Sequence, residues 1–444
     1  MKAFFKYICI FCITICCFLI FLTLSCSIPS SLMKENLIDS SQTLNSEGNI
    51  HEVNLASLYT IHFDNYTDAL MLNTCYSIDY TKPFYSALVA RKNYIPSLTQ
   101  FVYPDSVGEL SSASKYEKLD QVGELKDTLD NNITESFMYA RYWHGYLIFL
   151  RPLLCLFNLS TLRIIFTILL IILLLYLCFL IYKKINKSLS LFITLFFILF
   201  NYLFFGLSIQ GLIVIIITMV FSILILKKEL KIESNLPYIF FFVGMLTSFF
   251  DLLTTPILTL AFPMLIFYFT KHKYQPDTKL STILIILFKF CITWFLGYSM
   301  TWAIKWFLVD CLYNTNLIIT ALSQINYRIN GSIENNNHFS PILAVFINVC
   351  YACIPFFITI CFIFLIYIKN IFYKFIKKDT SKFVFEYTSC IPYVFIGSLP
   401  IIWQAILASH SSLHFMFAYR SLIVTFICII ITFYQLFFIK TEKT

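Results

Sequence analysis

The sequence predicts an all-α polytopic membrane protein, with about ten transmembrane helices and one large extracytoplasmic loop domain after the first of them. Three observations carry that prediction. Of the 444 residues, 59% are hydrophobic and 13% charged, where soluble domains carry roughly 25% charge. A soluble fold of this length cannot hide so much apolar surface, because single cores stop growing at a few hundred residues; lipid can hide it. The apolar residues also fall in runs of about 20, the length that crosses a hydrocarbon layer, and lysines return on every second connection between runs.

The first run, Phe4 to Ser25, follows Lys2 and Lys6. It is longer than the apolar region of a secretory signal and no A-x-A site follows it. Thr23-Leu24-Ser25-Cys26 lacks the leucine of a lipobox. An uncleaved anchor over residues 1–26 is therefore expected. Later runs are Thr161–Tyr182, Leu189–Phe205, Gly211–Leu226, Pro237–Phe250, Thr254–Phe269, Ser281–Met300, Pro341–Ile368, Ser389–Leu407 and Tyr419–Ile439. Leu147–Phe157 is apolar but short and is interrupted by Arg151-Pro152, so it reads as an interfacial or re-entrant helix. The expected organisation is an anchor (1–26), a loop domain (27–143) and a multispan domain (144–444).

Orientation follows from lysine in the short loops. Lys183, Lys184 and Lys187 mark one side. Lys227, Lys228 and Lys231 return two runs later, then Lys271, Lys273 and Lys279, then Lys369, Lys374, Lys377 and Lys378, and finally Lys440 and Lys443. This alternation predicts a multi-pass protein of the cell membrane with both termini cytoplasmic. The net charge of +8 sits in these clusters and not in a basic stripe, which excludes nucleic acid as a partner and leaves membrane lipid. Most of the 15 cysteines lie inside apolar runs, where they act as small hydrophobes; neither a disulfide framework nor a zinc site is expected. No P-loop, GxGxxG or GxSxG is present.

The six arginines, Arg91, Arg141, Arg151, Arg163, Arg328 and Arg420, all fall on the side opposite the lysine clusters. A guanidinium matches a phosphate bidentately where an ammonium acts as a point charge, so an outward-facing anion site is expected, with Arg141, Arg151 and Arg420 as its cations. The competing reading is ordinary ion pairing of loop arginines.

Residues 27–143 are too long for a connector. Leu55, Leu58, Ile61, Leu70 and Leu72 recur at near-helical spacing, predicting a helix over Asn54–Asn73. Asp64 and Asp68, four apart, would share one face of it. Paired carboxylates suit general-base work or a divalent cation; a solvated acidic face is the bland alternative. Leu119–Thr128, with alternating charges, reads as a surface helix. At the membrane boundary, Tyr139-Ala140-Arg141-Tyr142-Trp143-His144-Gly145-Tyr146 supplies an aromatic belt together with an arginine and a candidate general base, His144. Ser409-His410-Ser411-Ser412-Leu413-His414 places two histidines four apart, able to share a helix face and bind substrate or metal, or to serve as polar residues of a short turn. Asp251, at a helix end before Thr254-Thr255-Pro256, is a further substrate-binding candidate, with a helix cap as its competitor. Gln210, Lys305 and Gln404 are polar residues near the same boundary.

An anchoring first helix, a large acidic outer loop and many further spans resemble the GT-C class of membrane glycosyltransferases. Asp64–Leu72, Tyr139–Tyr146 with Arg151-Pro152, and Ser409–Arg420 are also similar to a group of multispan membrane proteins of low-GC Gram-positive bacteria that has no assigned activity. The GT-C resemblance implies sugar transfer from a polyprenyl-phosphate donor to a cell-envelope acceptor on the outer face, with Asp64, Asp68 or His144 in catalysis and Arg141, Arg151, Asp251, His410, His414 and Arg420 at the substrate. Many GT-C members carry an acidic pair soon after the first helix; here the nearest acids are Asp39, then Asp64 and Asp68. The rival expectations are a secondary transporter or lipid flippase and a non-enzymatic envelope-assembly protein.

Overall fold

The computed structural model describes residues 2–55, 59–94, 120–331, 339–377 and 387–437; Lys378, Lys440 and Lys443 lie outside them. The apolar helix α1 (Lys2–Cys26) leads into the polar segment. There α2 (Lys34–Glu47), β1 (Ile50–Leu55), β2 (Tyr59–Asp64), α3 (Asn65–Tyr76), α4 (Pro83–Val89), β3 (Arg91–Asn93), α5 (Gln121–Asp130) and β4 (Ser136–Met138) follow in order. β1 pairs antiparallel with β2 from Ile50↔Asp64 to Leu55↔Tyr59, and β3 pairs antiparallel with β4.

The helix expected over Asn54–Asn73 is thus a strand and then a helix. Ile61 and Phe63 are buried while Thr60 and His62 are half-buried, the two-residue alternation of a strand. Asp64 then stops the strand by accepting the Thr67 N–H, an N-cap that starts α3 at Asn65. The expected surface helix begins at Gln121 and is half core: Val122, Leu125 and Leu129 are buried. Glu124 on the same helix forms a buried ion pair with Lys92 of β3.

The rest is helical. α6 (Leu147–Leu154), α7 (Leu159–Lys184), α8 (Lys187–Leu199), α9 (Ile209–Lys228), α10 (Leu236–Phe250), α11 (Leu258–Tyr274) and α12 (Leu280–Tyr313) precede α13 (Leu317–Asn330), α14 (Pro341–Tyr351), α15 (Cys353–Lys377), α16 (Tyr387–Ile406), α17 (Ala408–Leu413), α18 (Phe415–Ala418) and α19 (Ile423–Phe437). Among the described residues, seven helices are long and apolar enough to cross a membrane, or eight if a bent pair counts as one span. This is a multi-pass membrane architecture, and the difference from ten has physical causes. The expected run Thr254–Phe269 became α11, only 17 residues long and buried on nearly every face, as a helix apolar all round must be. Gly211–Leu226 and Pro237–Phe250 belong to one apolar stretch of 42 residues, interrupted by a 3-10 segment at Glu229–Asn235. Pro341–Ile368 is broken between α14 and α15 by an 82° bend. Pro355, three residues past the break, has no N–H to return to Tyr351. α12, by contrast, is 34 residues long and overruns its expected end at Met300.

Side-chain contacts fix which ends meet. Lys6 donates to Asn235, Lys184 to the Lys227 carbonyl and Glu229, Lys271 to Glu233, and Lys273 to the Ile185 carbonyl. The lysine-bearing connections therefore gather at one end, beside the start of α1. The polar segment caps the other end. There Ser25 Oγ donates to the Leu147 carbonyl and Arg163 of α7 pairs with Glu47 of α2. One hydrophobic core runs through both parts: Leu37, Leu72 and Leu125 of the cap share it with Leu150, Leu162 and Leu212 of the bundle.

Candidate functional site

The site forms where the start of α3 meets the start of α9. Ser208, before α9, gives no side-chain cap, so the first N–H groups of that helix would be orphaned. Asp68 supplies the cap from the other part of the chain. Its carboxylate accepts from Ile209 N at 3.0 Å and 3.1 Å, from Gln210 N at 3.2 Å and from Ser208 Oγ at 3.4 Å. Asp68 is fully buried, and burial pushes its carboxyl up to about 7 against the opposing pull of Arg163 and the α9 amides. Arg163 bridges Glu47 Oε1 at 2.7 Å and Asn65 Oδ1 at 3.1 Å, locking the start of α3 to α7.

Asp64 is one turn away and is differently committed. It accepts from Thr67 N at 3.0 Å and Thr67 Oγ1 at 2.7 Å, and its Oδ2 also accepts from Gln210 Nε2 at 3.0 Å. Burial raises its carboxyl above the usual range, opposed by those hydrogen bonds. The two carboxylates therefore do not form one metal-binding face. Asp68 holds a helix, and Asp64 lines a small polar cavity of about 10 Å³, room for roughly one water. His62, Gln210, Thr254 and Arg420 also line it. Arg420 is 3% exposed, lies 4.1 Å over the Phe205 ring and leaves its Nε without a hydrogen-bond partner. A buried guanidinium with a free donor is an anion-seeking group.

Behind this cavity, Asp251 closes α10. It accepts from Thr254 N at 3.0 Å and Thr254 Oγ1 at 2.5 Å, and burial raises its carboxyl to about 6 against those bonds. The turn it makes presents Thr254 to the small cavity and Leu253 to a larger one. His410 Nε2 donates to the Leu253 carbonyl at 2.7 Å, which leaves its Nδ1 to accept from Arg328 Nη1 at 3.1 Å. His414 Nε2 accepts from the same Nη1 at 2.9 Å. The histidine pair thus clamps a guanidinium, whose charge opposes a metal in that position. Among the described residues no group of three or more His, Cys, Asp or Glu could hold a metal ion.

Two expected site residues serve the chain itself. His144 is buried with φ +55°; its Nε2 donates to the Tyr139 carbonyl at 2.6 Å and its Nδ1 accepts from the Tyr146 hydroxyl at 3.0 Å. It braces the turn of the aromatic stretch and lines neither cavity. Arg151 is fully buried and donates to the Ser25, Ile28 and Cys75 carbonyls, tying α6 to the end of α1 and the end of α3. Arg151→Leu should destabilise the protein by about 3 kcal/mol, since three buried acceptors lose their donor at about 1 kcal/mol each. Thermal unfolding in detergent checks this, and a melting curve unchanged from wild type contradicts it. Arg141 lines the larger cavity, away from Arg420.

These geometries give a pH dependence of stability. Burial pushes His144 and His414 down to about 3, with nearby cations adding to the effect, and pushes His410 well down. An unfolded histidine titrates near ~6.5. As pH falls below that value the unfolded chain takes up protons that the folded chain refuses, so stability falls, by about 1.4 kcal/mol per pH unit for each histidine. Asp68 and Asp251 act oppositely: folded, they hold protons that free carboxyls release near ~4, so they gain stability as pH drops through 7 and 6. His144→Asn, which tolerates the positive φ, should flatten the fall in unfolding temperature between pH 6.5 and 4.5. Parallel pH curves for variant and wild type would remove His144 from the balance.

Asp64 and Arg420 thus line one cavity, Asp68 caps the helix that brings Gln210 to it and Asp251 holds the turn that brings Thr254, while His410 and His414 hold Arg328, and His144 and Arg151 are taken up in structural bonds. Arg328 was legible only as one of the six segregated arginines and not as the partner of the histidines, and Phe205 under Arg420 carried no local signal, since each acts through a partner distant in sequence. No family model, curated protein or solved structure matches the chain.

Proposed function

We propose that the chain is a membrane glycosyltransferase that takes a sugar from a polyprenyl-phosphate donor and passes it to a cell-envelope acceptor at the junction of cap and bundle. The observation that supports this best is that one small cavity is lined by both a half-buried carboxylate, Asp64, and a buried guanidinium with a donor to spare, Arg420. The acceptor oxygen bonds to the anomeric carbon and the bond from that carbon to the phosphate oxygen breaks. The polyprenyl phosphate leaves with the bonding pair, and the acceptor proton goes to Asp64. Arg420 and Gln210 meet the charge that grows on the phosphate, while Asp68, through the start of α9, positions Gln210.

The cavity is water-sized, so a sugar reaches Asp64 only when β2, which contributes His62 and Phe63 to the wall, moves aside. With the lysine end in the cytoplasm, the cap and this site face outward and the N-terminus is cytoplasmic. Transfer of labelled sugar from a polyprenyl-phosphate donor by the purified protein tests the reading; no transfer to any envelope fraction counts against it. The sharp break between α14 and α15 favours a second reading as a lipid transporter, because interrupted helices mark transport pathways. Lipid translocation in proteoliposomes without sugar transfer would select it.

A further inference from the structure

The larger cavity holds about 470 Å³, within the range of ligand-binding pockets, and it is separate from the polar one. Its walls come from α12, α13 and the end of α16 together with Tyr142. Trp302, Trp306 and Trp403 line it, three of the five tryptophans of the chain. Two features place it at the level of lipid headgroups. Tryptophan and tyrosine collect at that depth. α13, one of its walls, is also amphipathic and leaves Ile319, Leu322 and Ile325 exposed, the form of a helix that lies in the interface.

The charge on its wall has one sign. Arg141 and Arg328 line the cavity and no aspartate or glutamate does. Among the described residues neither arginine stands within ion-pair distance of a carboxylate. The two partners of Arg328 are imidazole nitrogens that accept from it, so they fix its position and leave its charge uncompensated. The Arg141 carbonyl accepts from Trp306 Nε1 at 3.0 Å, which holds that residue at the rim beside the aromatic wall. Guanidinium groups over a greasy, aromatic hollow complement a phosphate carried on a hydrocarbon chain.

We propose that this cavity binds an anionic membrane phospholipid, its acyl chain against the tryptophans and its phosphate toward Arg141 and Arg328. The site stands independently of the transferase reading: the phospholipid is a resident ligand and neither donor nor acceptor.

The test uses the full-length protein in phosphatidylcholine nanodiscs, with tryptophan fluorescence as the readout and brominated acyl chains as the quencher. Brominated phosphatidylglycerol is expected to quench at a mole fraction roughly fivefold lower than brominated phosphatidylcholine, since a cation near the surface favours an anionic lipid by about 1 kcal/mol. Arg141→Gln should remove most of that preference. Arg328 also holds two histidines, so Arg141 is the cleaner position. Ala321→Trp, which fills the cavity, should shield the other tryptophans lining it from both lipids, and circular dichroism confirms that each variant is folded. Equal quenching by the two lipids in the wild-type protein overturns the proposal, as does a preference for phosphatidylglycerol that survives Arg141→Gln intact.

Discussion

Asp64→Asn should lower the rate of sugar transfer by about 10²–10⁴-fold, the usual worth of a positioned base, while leaving the protein folded. The separation of these effects comes from the two jobs of the side chain. As an N-cap, Asp64 accepts from Thr67 N and Thr67 Oγ1, and asparagine caps helices about as well as aspartate. As a base it must take a proton, which the amide cannot. Arg420→Gln should cost on the order of 10²–10³-fold in kcat and keep a polar group over Phe205. Single-turnover transfer from a labelled donor reads both variants. A wild-type rate in Asp64→Asn would end the assignment of Asp64 as base, whatever Arg420→Gln does.

Gly244→Ala and Gly297→Ala should each destabilise the bundle by several kcal/mol, beyond the ~1–3 kcal/mol usual for overpacking. α10 and α12 cross with their backbones in contact. A Cβ on Gly244 would stand 2.1 Å from the Trp294 carbonyl oxygen and 2.9 Å from Tyr298 N, and one on Gly297 would stand 2.0 Å from the Phe241 carbonyl oxygen. These obstacles are helix backbone, which cannot rotate out of the way as a side chain can. Small residues at such crossings are the means by which membrane helices approach closely. Gly123→Ala in α5 is the internal comparison, because its Cβ would meet only the Asp120 carboxylate, the far end of a flexible side chain, at 2.3 Å. Unfolding temperatures in detergent should fall far more for the first two than for the third. Three equal, small shifts would show that the crossing yields.

The crossing also governs the site. α10 ends at Asp251, whose turn offers Thr254 to one cavity and Leu253 to the other, and α12 carries Trp302 and Trp306 of the larger cavity. Loosening the two helices should therefore disturb both cavities at once. Lipid quenching in the glycine variants would follow their unfolding temperatures.

Some of this was legible in the residues alone. A chain with 13% charged residues and apolar runs near 20 residues can only be satisfied in lipid, and spacing of lysines on alternate connections marks two ends of a bundle. The segregation of arginine from lysine was equally visible, and it bore on where anion-seeking groups gather. Periodicity misled where apolar residues fitted two periods: Leu55, Leu58 and Ile61 suit a helix, yet pairing of Ile50–Leu55 with Tyr59–Asp64 won because a second strand was available to take the backbone hydrogen bonds. Helix ends misled where the cap came from elsewhere.

What the sequence by itself determined is the class of solvent, the polarity of the ends and the residue types available at the boundary, because each is a property of one segment meeting water or lipid. Only the tertiary structure decided which of those residues work together. Asp68 caps a helix that starts 141 residues later, Arg151 satisfies a carbonyl 126 residues earlier, and Arg328 finds His410 across 82 residues. A buried polar group takes whichever partner the packing brings within reach, and packing is decided by the whole chain.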